Sequence, residues 1–204
     1  MKNIGTTDKL IRIFLAELCI LIAFFWVGRA WQIVLYLIAA VLIIQAATGV
    51  CGIYNLIGLN TCENIKRSDK NLVAGTLALM IIVAGAGGYA SAIMTKNILI
   101  GDLGSLEQPY NLTLSYADLD QRKESISSYE QLNRSLDVFT EKYSNYRPLA
   151  IKFDDDFPGD MENISLIVAA SREDVYNGQL ANVHDNLESI GHILQELKNR
   201  NTLN

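Results

Sequence analysis

The sequence is poor in the residues that build covalent frameworks and metal sites. Its 204 residues include three cysteines, two histidines and three prolines. The cysteines are Cys19, Cys51 and Cys62, so everything after residue 62 lacks a disulfide framework and depends on packing. His184 and His192 lie eight residues apart on one predicted helix, which is too far for both to bind one metal ion. No Cys-x-x-Cys-His motif offers covalent haem attachment.

Signatures of catalysis and of nucleic-acid binding are also absent from the sequence. No glycine-rich phosphate loop follows a predicted strand, and no serine lies in a Gly-x-Ser-x-Gly motif. The acidic run Asp154, Asp155 and Asp156 does not have the spacing of a calcium-binding loop. The formal charge of -5 disfavours nucleic acid as a partner. The sequence therefore predicts a protein that is not an enzyme and that has no catalytic residues, metal ion or cofactor.

Three long apolar runs dominate the first half of the chain. They cover residues 10–27, 33–50 and 72–95, and only the first contains charged residues, Arg12 and Glu17. Each run is long enough to cross about 30 Å of hydrocarbon at about 1.5 Å per residue. These runs predict a membrane domain of residues 1–96 with three transmembrane helices, in direct contact with the lipid bilayer.

Lysine and arginine are concentrated on one side of these predicted spans. The turn between the first two spans contains one basic residue, Arg29. The other basic residues of this region lie before or at the start of the first span, or between the second and third spans: Lys2, Lys9, Arg12, Lys66, Arg67 and Lys70. Basic loops stay in the cytoplasm. The distribution predicts a cytoplasmic N-terminus and a C-terminal domain on the opposite side of the membrane, in the periplasm or outside the cell.

The rest of the chain predicts a linker followed by helices. Residues 97–111 contain Gly101, Gly104 and Pro109, which is typical of a linker. Residues 112–204 then show three amphipathic patterns, whose apolar positions include Leu119, Ile126, Tyr129, Leu132, Leu136, Phe139 and Tyr143 in the first, Met161, Ile164, Val168 and Val175 in the second, and Leu180, Val183, Leu187, Ile190, Leu194 and Leu197 in the third. Short connections make such helices antiparallel neighbours. The predicted fold class is all-α, with a periplasmic antiparallel helical bundle.

Glu17 and Gln45 are the polar residues expected inside the membrane. A carboxylate near mid-bilayer needs a partner, and antiparallel pairing of the first two spans brings Gln45 to a similar depth. A hydrogen bond between them is one interpretation, and a polar point on an ion or proton path is the other. In the third span, Ala84, Gly88 and Ala92 form a small-residue stripe that predicts close packing against the preceding hairpin or a second copy of the protein.

Two cysteines and two glycines lie between the second and third spans, at Cys51, Gly52, Gly58 and Cys62. A reactive thiol needs access to water and a positive surrounding, and a basic segment follows Cys62. The stretch therefore predicts either a thiol or persulfide site, or small residues that pack a tight turn.

Together with Asn3, Gly5, Asp8 and Arg12, the pattern Cys-x-x-Tyr-x-x-x-Gly-x-x-Thr-Cys resembles the YgaP-like transmembrane domain family over about residues 1–65. The resemblance implies an inner-membrane hairpin and a link to sulfur metabolism, because this domain is often joined to a rhodanese sulfurtransferase. The residues that follow here do not resemble a rhodanese, so sulfur transfer is not carried over as an activity of this chain.

Two functions are open from the sequence. The first is a non-catalytic membrane protein whose bundle interacts with a partner protein, a second copy or a small ligand, as an accessory subunit of a membrane complex. The alternative is a cytoplasmic-face sulfur relay through Cys51 or Cys62, working with a separate sulfurtransferase. A small-anion channel is a third interpretation, which the acidic Glu17 disfavours.

Overall fold

The computed structural model describes residues 2–61 and 70–202, and this part of the chain contains helices and turns but no strand. The all-α expectation is thereby confirmed. The chain divides into two compact units between Ala92 and Ile93.

The first unit begins with a helical hairpin. Helices α1 (Thr6–Phe25) and α2 (Arg29–Thr48) pack against each other and are joined by three residues, so they run antiparallel. Each helix buries two alanines, which are Ala16 and Ala23 in α1 and Ala39 and Ala46 in α2. Small residues of this kind allow helix backbones to approach closely. A short helix, α3 (Gly52–Ile57), follows the hairpin.

The third apolar segment is one long helix with an irregular turn. It comprises α4 (Lys70–Ile82), a π-helical turn (Val83–Gly87) and α5 (Gly88–Asp118). Within the first unit it packs against α1, where the Trp26 indole donates a hydrogen bond to Oγ of Ser91 at 3.0 Å.

The structure gives two candidate membrane spans rather than the expected three. The two stretches that are long and apolar enough are Arg29–Thr48 and part of the continuous helix Lys70–Asp118. Helix α1 has the length of a span, but its charged residues reduce its apolar character; they are Asp8, Lys9, Arg12 and Glu17.

The segment expected to be a linker is helical. Residues 97–111 lie inside α5, and Gly101, Gly104 and Pro109 do not interrupt it. The reason is a regular apolar spacing on one face of the helix, whose buried members include Leu99, Leu103, Leu106 and Tyr110. Burial of that face outweighs the weak helix preference of the glycines and the proline.

The second unit packs its helices around one hydrophobic core. After the α5 residues from Ile93 onward it contains α6 (Arg122–Asn145), α7 (Leu149–Lys152), α8 (Phe157–Ala170), α9 (Arg172–Asn177) and α10 (Leu180–Thr202). The predicted third pattern is confirmed, because all six of its apolar residues are buried in α10. The second pattern is divided at Ser171 into α8 and α9. Leu119, placed in the first pattern, is instead 64% exposed in the turn before α6.

Polar contacts connect these core helices both within the core and at its edge. The Tyr129 hydroxyl of α6 donates to the Val168 carbonyl oxygen of α8 at 2.6 Å. On α10, Lys198 forms an ion pair with Glu107 of α5 at 3.0 Å. These directional contacts favour one arrangement of the helices around the core. Burial of apolar side chains alone would specify that arrangement less strictly.

Candidate functional site

The chain directly after α2 forms a tight turn against the N-terminal segment. Gly49 ends α2 with a φ of 70°, a conformation that glycine adopts without steric cost. The backbone amides of Asn3 and Ile4 donate hydrogen bonds to the Gly49 carbonyl oxygen, at 3.0 and 3.2 Å. The N-terminal segment is thereby held beside Cys51.

The buried side chain of Asn3 brackets the backbone of Cys51. Its Oδ1 accepts a hydrogen bond from the Cys51 amide at 2.8 Å, and its Nδ2 donates to the Cys51 carbonyl oxygen at 2.9 Å. Nδ2 also donates to Oδ1 of Asn55 at 2.8 Å. The Asn3 side chain therefore satisfies the Cys51 amide, which could not otherwise be buried without cost, and it shares the Cys51 carbonyl oxygen with the Asn55 backbone amide at 3.1 Å.

The Cys51 side chain is in an environment that favours the thiolate. The Tyr54 backbone amide lowers the pKa of the Cys51 thiol most strongly; burial opposes this shift, while the Ile53 amide and the Arg12 guanidinium add to it. The residue is nevertheless only 1% exposed. The site therefore combines an activated sulfur with restricted access, and a reagent reaches it only when the turn opens.

Arg12 supplies the positive charge beside this thiol and is held on three sides. Its Nε donates to Oδ1 of Asp8 at 2.9 Å, and its terminal nitrogen donates to Oε1 of Gln45 on α2. The guanidinium also lies over the Tyr54 ring, 5.1 Å from its centroid. The Asp8–Arg12 pair, which the spacing of four residues predicts, is thus also part of the cysteine environment.

Thr61 joins the end of the loop to the same group. Its backbone amide donates to the Asn3 carbonyl oxygen at 3.0 Å, and its Oγ1 accepts a hydrogen bond from the Gly5 amide at 2.8 Å. A Cβ atom at Gly5 would lie 2.5 Å from the Thr61 carbonyl oxygen. The close approach of these two backbone segments explains the glycine.

Residues far apart in the sequence motif therefore form one cluster. We define the Cys51 cluster as Asn3, Asp8, Arg12, Gln45, Cys51, Tyr54, Asn55 and Thr61. Cys62, the second candidate thiol, and the basic residues Lys66 and Arg67 lie outside the described residues. Among the described residues, Arg12 is a cation that lies near Cys51.

Glu17 does not have the partner that its depth suggested. Gln45 accepts its hydrogen bond from Arg12, one turn closer to the helix end, so the expected Glu17–Gln45 bond is replaced. Both carboxyl oxygens of Glu17 are buried and lack a hydrogen-bond partner among the described residues. Sequence spacing alone did not show that Arg12 reaches across the hairpin.

The small residues of the third apolar segment lie around the π-helical turn. Ala84 is within the turn, and Gly88 begins α5, where an added Cβ would lie 3.9 Å from the Phe25 ring of α1. At Gly87 the nearest atom to an added Cβ is Leu21 Cδ1, at 3.8 Å. On this face the third segment lies close to α1. Ala92 is the last residue of the first unit.

Two titratable residues of the second unit that the sequence offers as metal ligands, Asp154 and His184, contact other polar or charged side chains. Asp154, from the acidic run, contacts Arg200 and accepts a hydrogen bond from Asn201. Burial raises the pKa of Asp154, but the Asn201 amide and the Arg200 guanidinium outweigh it and lower the pKa overall. The imidazole of His184 lies 3.4 Å from Asp118. In residues 2–61 and 70–202, no group of three metal-ligating side chains comes together.

The surface of the second unit carries an open apolar cleft of about 290 Å³. It lies between α6 and α8. Its floor is formed by Tyr143, Phe157 and Met161, which are themselves buried, and Arg147 and Glu162 lie at its edge. Concave apolar surfaces with a few polar groups at the edge are typical of binding sites. Periodicity identifies these core residues but not the cleft, which depends on how α6 and α8 are placed.

Comparisons with known proteins concern the first unit. No curated protein and no solved structure matches the chain significantly. Residues 1–65 match the family model described as "Inner membrane protein YgaP-like, transmembrane domain", which confirms the resemblance and its limited extent. Over this part the chain is similar to the YgaP-like transmembrane domain, and this similarity together with its long apolar helices indicates an inner-membrane protein.

Proposed function

We propose that this chain is a non-catalytic inner-membrane protein that presents its second unit, as a periplasmic helical bundle, to a partner protein or a small ligand. In this role it is an accessory subunit of a membrane complex. The observation that carries the proposal is the apolar cleft between α6 and α8, in a unit whose remaining apolar side chains mostly form a closed core.

The chemistry of the cleft favours a particular occupant. Tyr143, Phe157 and Met161 offer aromatic and thioether surface, while Arg147 and Glu162 offer opposite charges at the edge. Such a site accepts an apolar side chain or an apolar small molecule that carries polar groups at its exposed end. Methionine adapts its shape to different occupants.

The periplasmic placement requires α1 to cross the membrane as a third span. Its first turns carry Asp8 and Arg12, which neutralise each other, and Arg12 also donates a hydrogen bond to Gln45. From Ile13 to Phe25 the only charged residue is Glu17, but this stretch rises only about 20 Å. A crossing of about 30 Å therefore uses the whole of α1, including the turn that carries the Asp8–Arg12 pair. Three spans together with the basic residues on one side support a cytoplasmic N-terminus and a periplasmic bundle.

Site-specific photocrosslinking in living cells tests the cleft. A photoreactive amino acid at Ser144, which lines the cleft and is exposed, should give a discrete crosslinked product. The matched control is His192, whose side chain is 82% exposed but which does not line the cleft. Equal crosslinking at both positions, or none at Ser144, would show that the cleft is not where a partner binds.

The environment of Cys51 supports a second candidate function, a sulfur relay with a separate sulfurtransferase. In such a step the Cys51 thiolate attacks the outer sulfur of a donor persulfide, forms a new persulfide on Cys51 and releases the donor as its thiolate. Mass spectrometry after exposure to a persulfide donor should find the additional sulfur on Cys51 and much less on Cys19. Equal and slow labelling of both cysteines would exclude the relay.

A further inference from the structure

Glu17 has a surrounding that Asp8, the other described carboxyl group of the first unit, does not share. Both of its oxygen atoms are inaccessible to solvent and have no hydrogen-bond partner in the part of the chain that the structure describes. Asp8, on the same helix, is instead paired with Arg12 and accepts a hydrogen bond from Thr61. The two carboxyl groups of α1 are therefore in opposite situations, one compensated and one not.

The elements packed against Glu17 offer it no opposite charge. On α2 the only charged residue is Arg29, at the far end of the hairpin, and residues 71–95 contain none. Arg12 lies five residues away, about 7.5 Å along the helix axis, and is engaged by Asp8 and Gln45. Cys19 is the nearest titratable side chain on α1 itself.

The segment that faces Glu17 is the π-helical turn Val83–Gly87. The Ala84 backbone amide lies close to the carboxyl group, outside the geometry of a full hydrogen bond. Turns of this kind are rare inside helices and occur frequently at functional sites. An unpaired buried carboxyl group and an irregular turn thus meet at the same place.

We propose that Glu17 is a proton-binding site inside the membrane, which holds its side chain as the neutral carboxylic acid against the π-helical turn. An ionised carboxylate would have neither a counter-ion nor a hydrogen bond here, whereas the neutral acid avoids the charge and gains an O–H donor. The proposal rests on the proposed crossing of the membrane by α1.

Dicyclohexylcarbodiimide tests this protonation state, because it partitions into lipid and reacts with protonated carboxyl groups. The acid transfers its proton to one nitrogen of the reagent while the carboxylate oxygen bonds to the central carbon, and the product rearranges to a stable N-acylurea. With the full chain in liposomes, mass spectrometry should find the adduct on Glu17 at a yield at least about tenfold above that on Asp8. The yield should fall as the pH is raised, and Glu17→Gln should show no adduct at position 17.

Three results would overturn the proposal. They are the absence of the Glu17 adduct in folded protein, a yield that does not change with pH, and equal modification by a water-soluble carbodiimide. Folding is checked by the protection of Cys51 from alkylation, and Glu17→Gln, which preserves a neutral side chain of the same size, should retain that protection. The sidedness of the bundle is measured separately by thiol labelling. Failure at Glu17 with correct sidedness would therefore refute only the proton site.

Discussion

Replacement of Asn3 by alanine should make Cys51 accessible. In the structure the Asn3 side chain is the hydrogen-bond partner of both the Cys51 amide and the Cys51 carbonyl oxygen, at 2.8 and 2.9 Å. Cys51 itself is 1% exposed, so its reaction with a thiol reagent requires local opening of the turn. The substitution removes both bonds while leaving the rest of α1 and α2 unchanged.

The expected effect follows from the cost of an unsatisfied buried polar group. Each such group costs about 1 to 3 kcal/mol. The Cys51 carbonyl oxygen keeps the hydrogen bond from the Asn55 backbone amide at 3.1 Å, so the Cys51 amide is the group left unsatisfied. Taking about 2 kcal/mol for that group, the closed turn loses stability that corresponds to about a 30-fold increase in the open population. The alkylation rate of Cys51 should rise by a similar factor.

Alkylation of full-length protein in detergent, resolved by mass spectrometry for each cysteine, measures this rate. The control is Asn55→Ala, which removes only the 2.8 Å bond between the two asparagines and leaves the backbone of Cys51 satisfied. Its rate should rise by no more than about fivefold. The reasoning is refuted if Asn3→Ala leaves the rate unchanged or changes it less than Asn55→Ala does.

Three further predictions concern packing and pH. Leu187→Ala, in the core of the second unit, should lower its free energy of unfolding by about 2 to 5 kcal/mol, measured by hydrogen exchange. Asp154 has a lowered pKa, so its stabilisation is present above about pH 4 and lost as pH falls through the folded pKa. Asp154→Asn should therefore reduce stability at neutral pH and flatten the loss on acidification. Gly5→Ala should displace the loop and accelerate Cys51 alkylation.

Each of these predictions has a control or a contrary result. Leu166→Ala, at a position that is 61% exposed, should change stability by less than about 0.5 kcal/mol, and a similar loss at both leucines would contradict the core assignment. An acid transition that is unaffected by Asp154→Asn would show that its ion pair is irrelevant. For the glycine, the control is Gly52→Ala, where an added Cβ meets no atom within 4 Å.

The parts of the fold that depend on local periodicity could be predicted from the sequence. The apolar positions of α10, from Leu180 to Leu197, are buried as their spacing indicates. Gly101, Gly104 and Pro109 predict a linker in residues 97–111, whereas the structure has a helix there, because the buried face of α5 outweighs them. Turn-forming residues change local preference by small amounts, whereas a buried face adds a contribution at every turn of the helix.

The candidate site depends on contacts between distant residues, which periodicity does not report. The motif includes Cys51 and Arg12, but the spacing of the sequence shows only that Arg12 lies one helical turn from Asp8. In the structure Arg12 also reaches Gln45 across the hairpin, and Glu17 is left without a partner. A shift of one helical turn decides whether Gln45 lies beside Arg12 or beside Glu17. The sequence does not fix the position of the hairpin turn that closely.

The sidedness of the two units tests the proposed function most directly. An impermeant thiol reagent is added to intact cells that produce either the native chain or the His192→Cys variant, in which the new cysteine takes an exposed position. The three-span arrangement predicts labelling of position 192 and protection of Cys51 and Cys62. Because folded protein buries Cys51, both chains also carry Asn3→Ala, and permeabilised cells then provide the control that Cys51 reacts when the reagent reaches it. Labelling of the native pair in intact cells, with protection of position 192, would place the bundle in the cytoplasm and contradict the account.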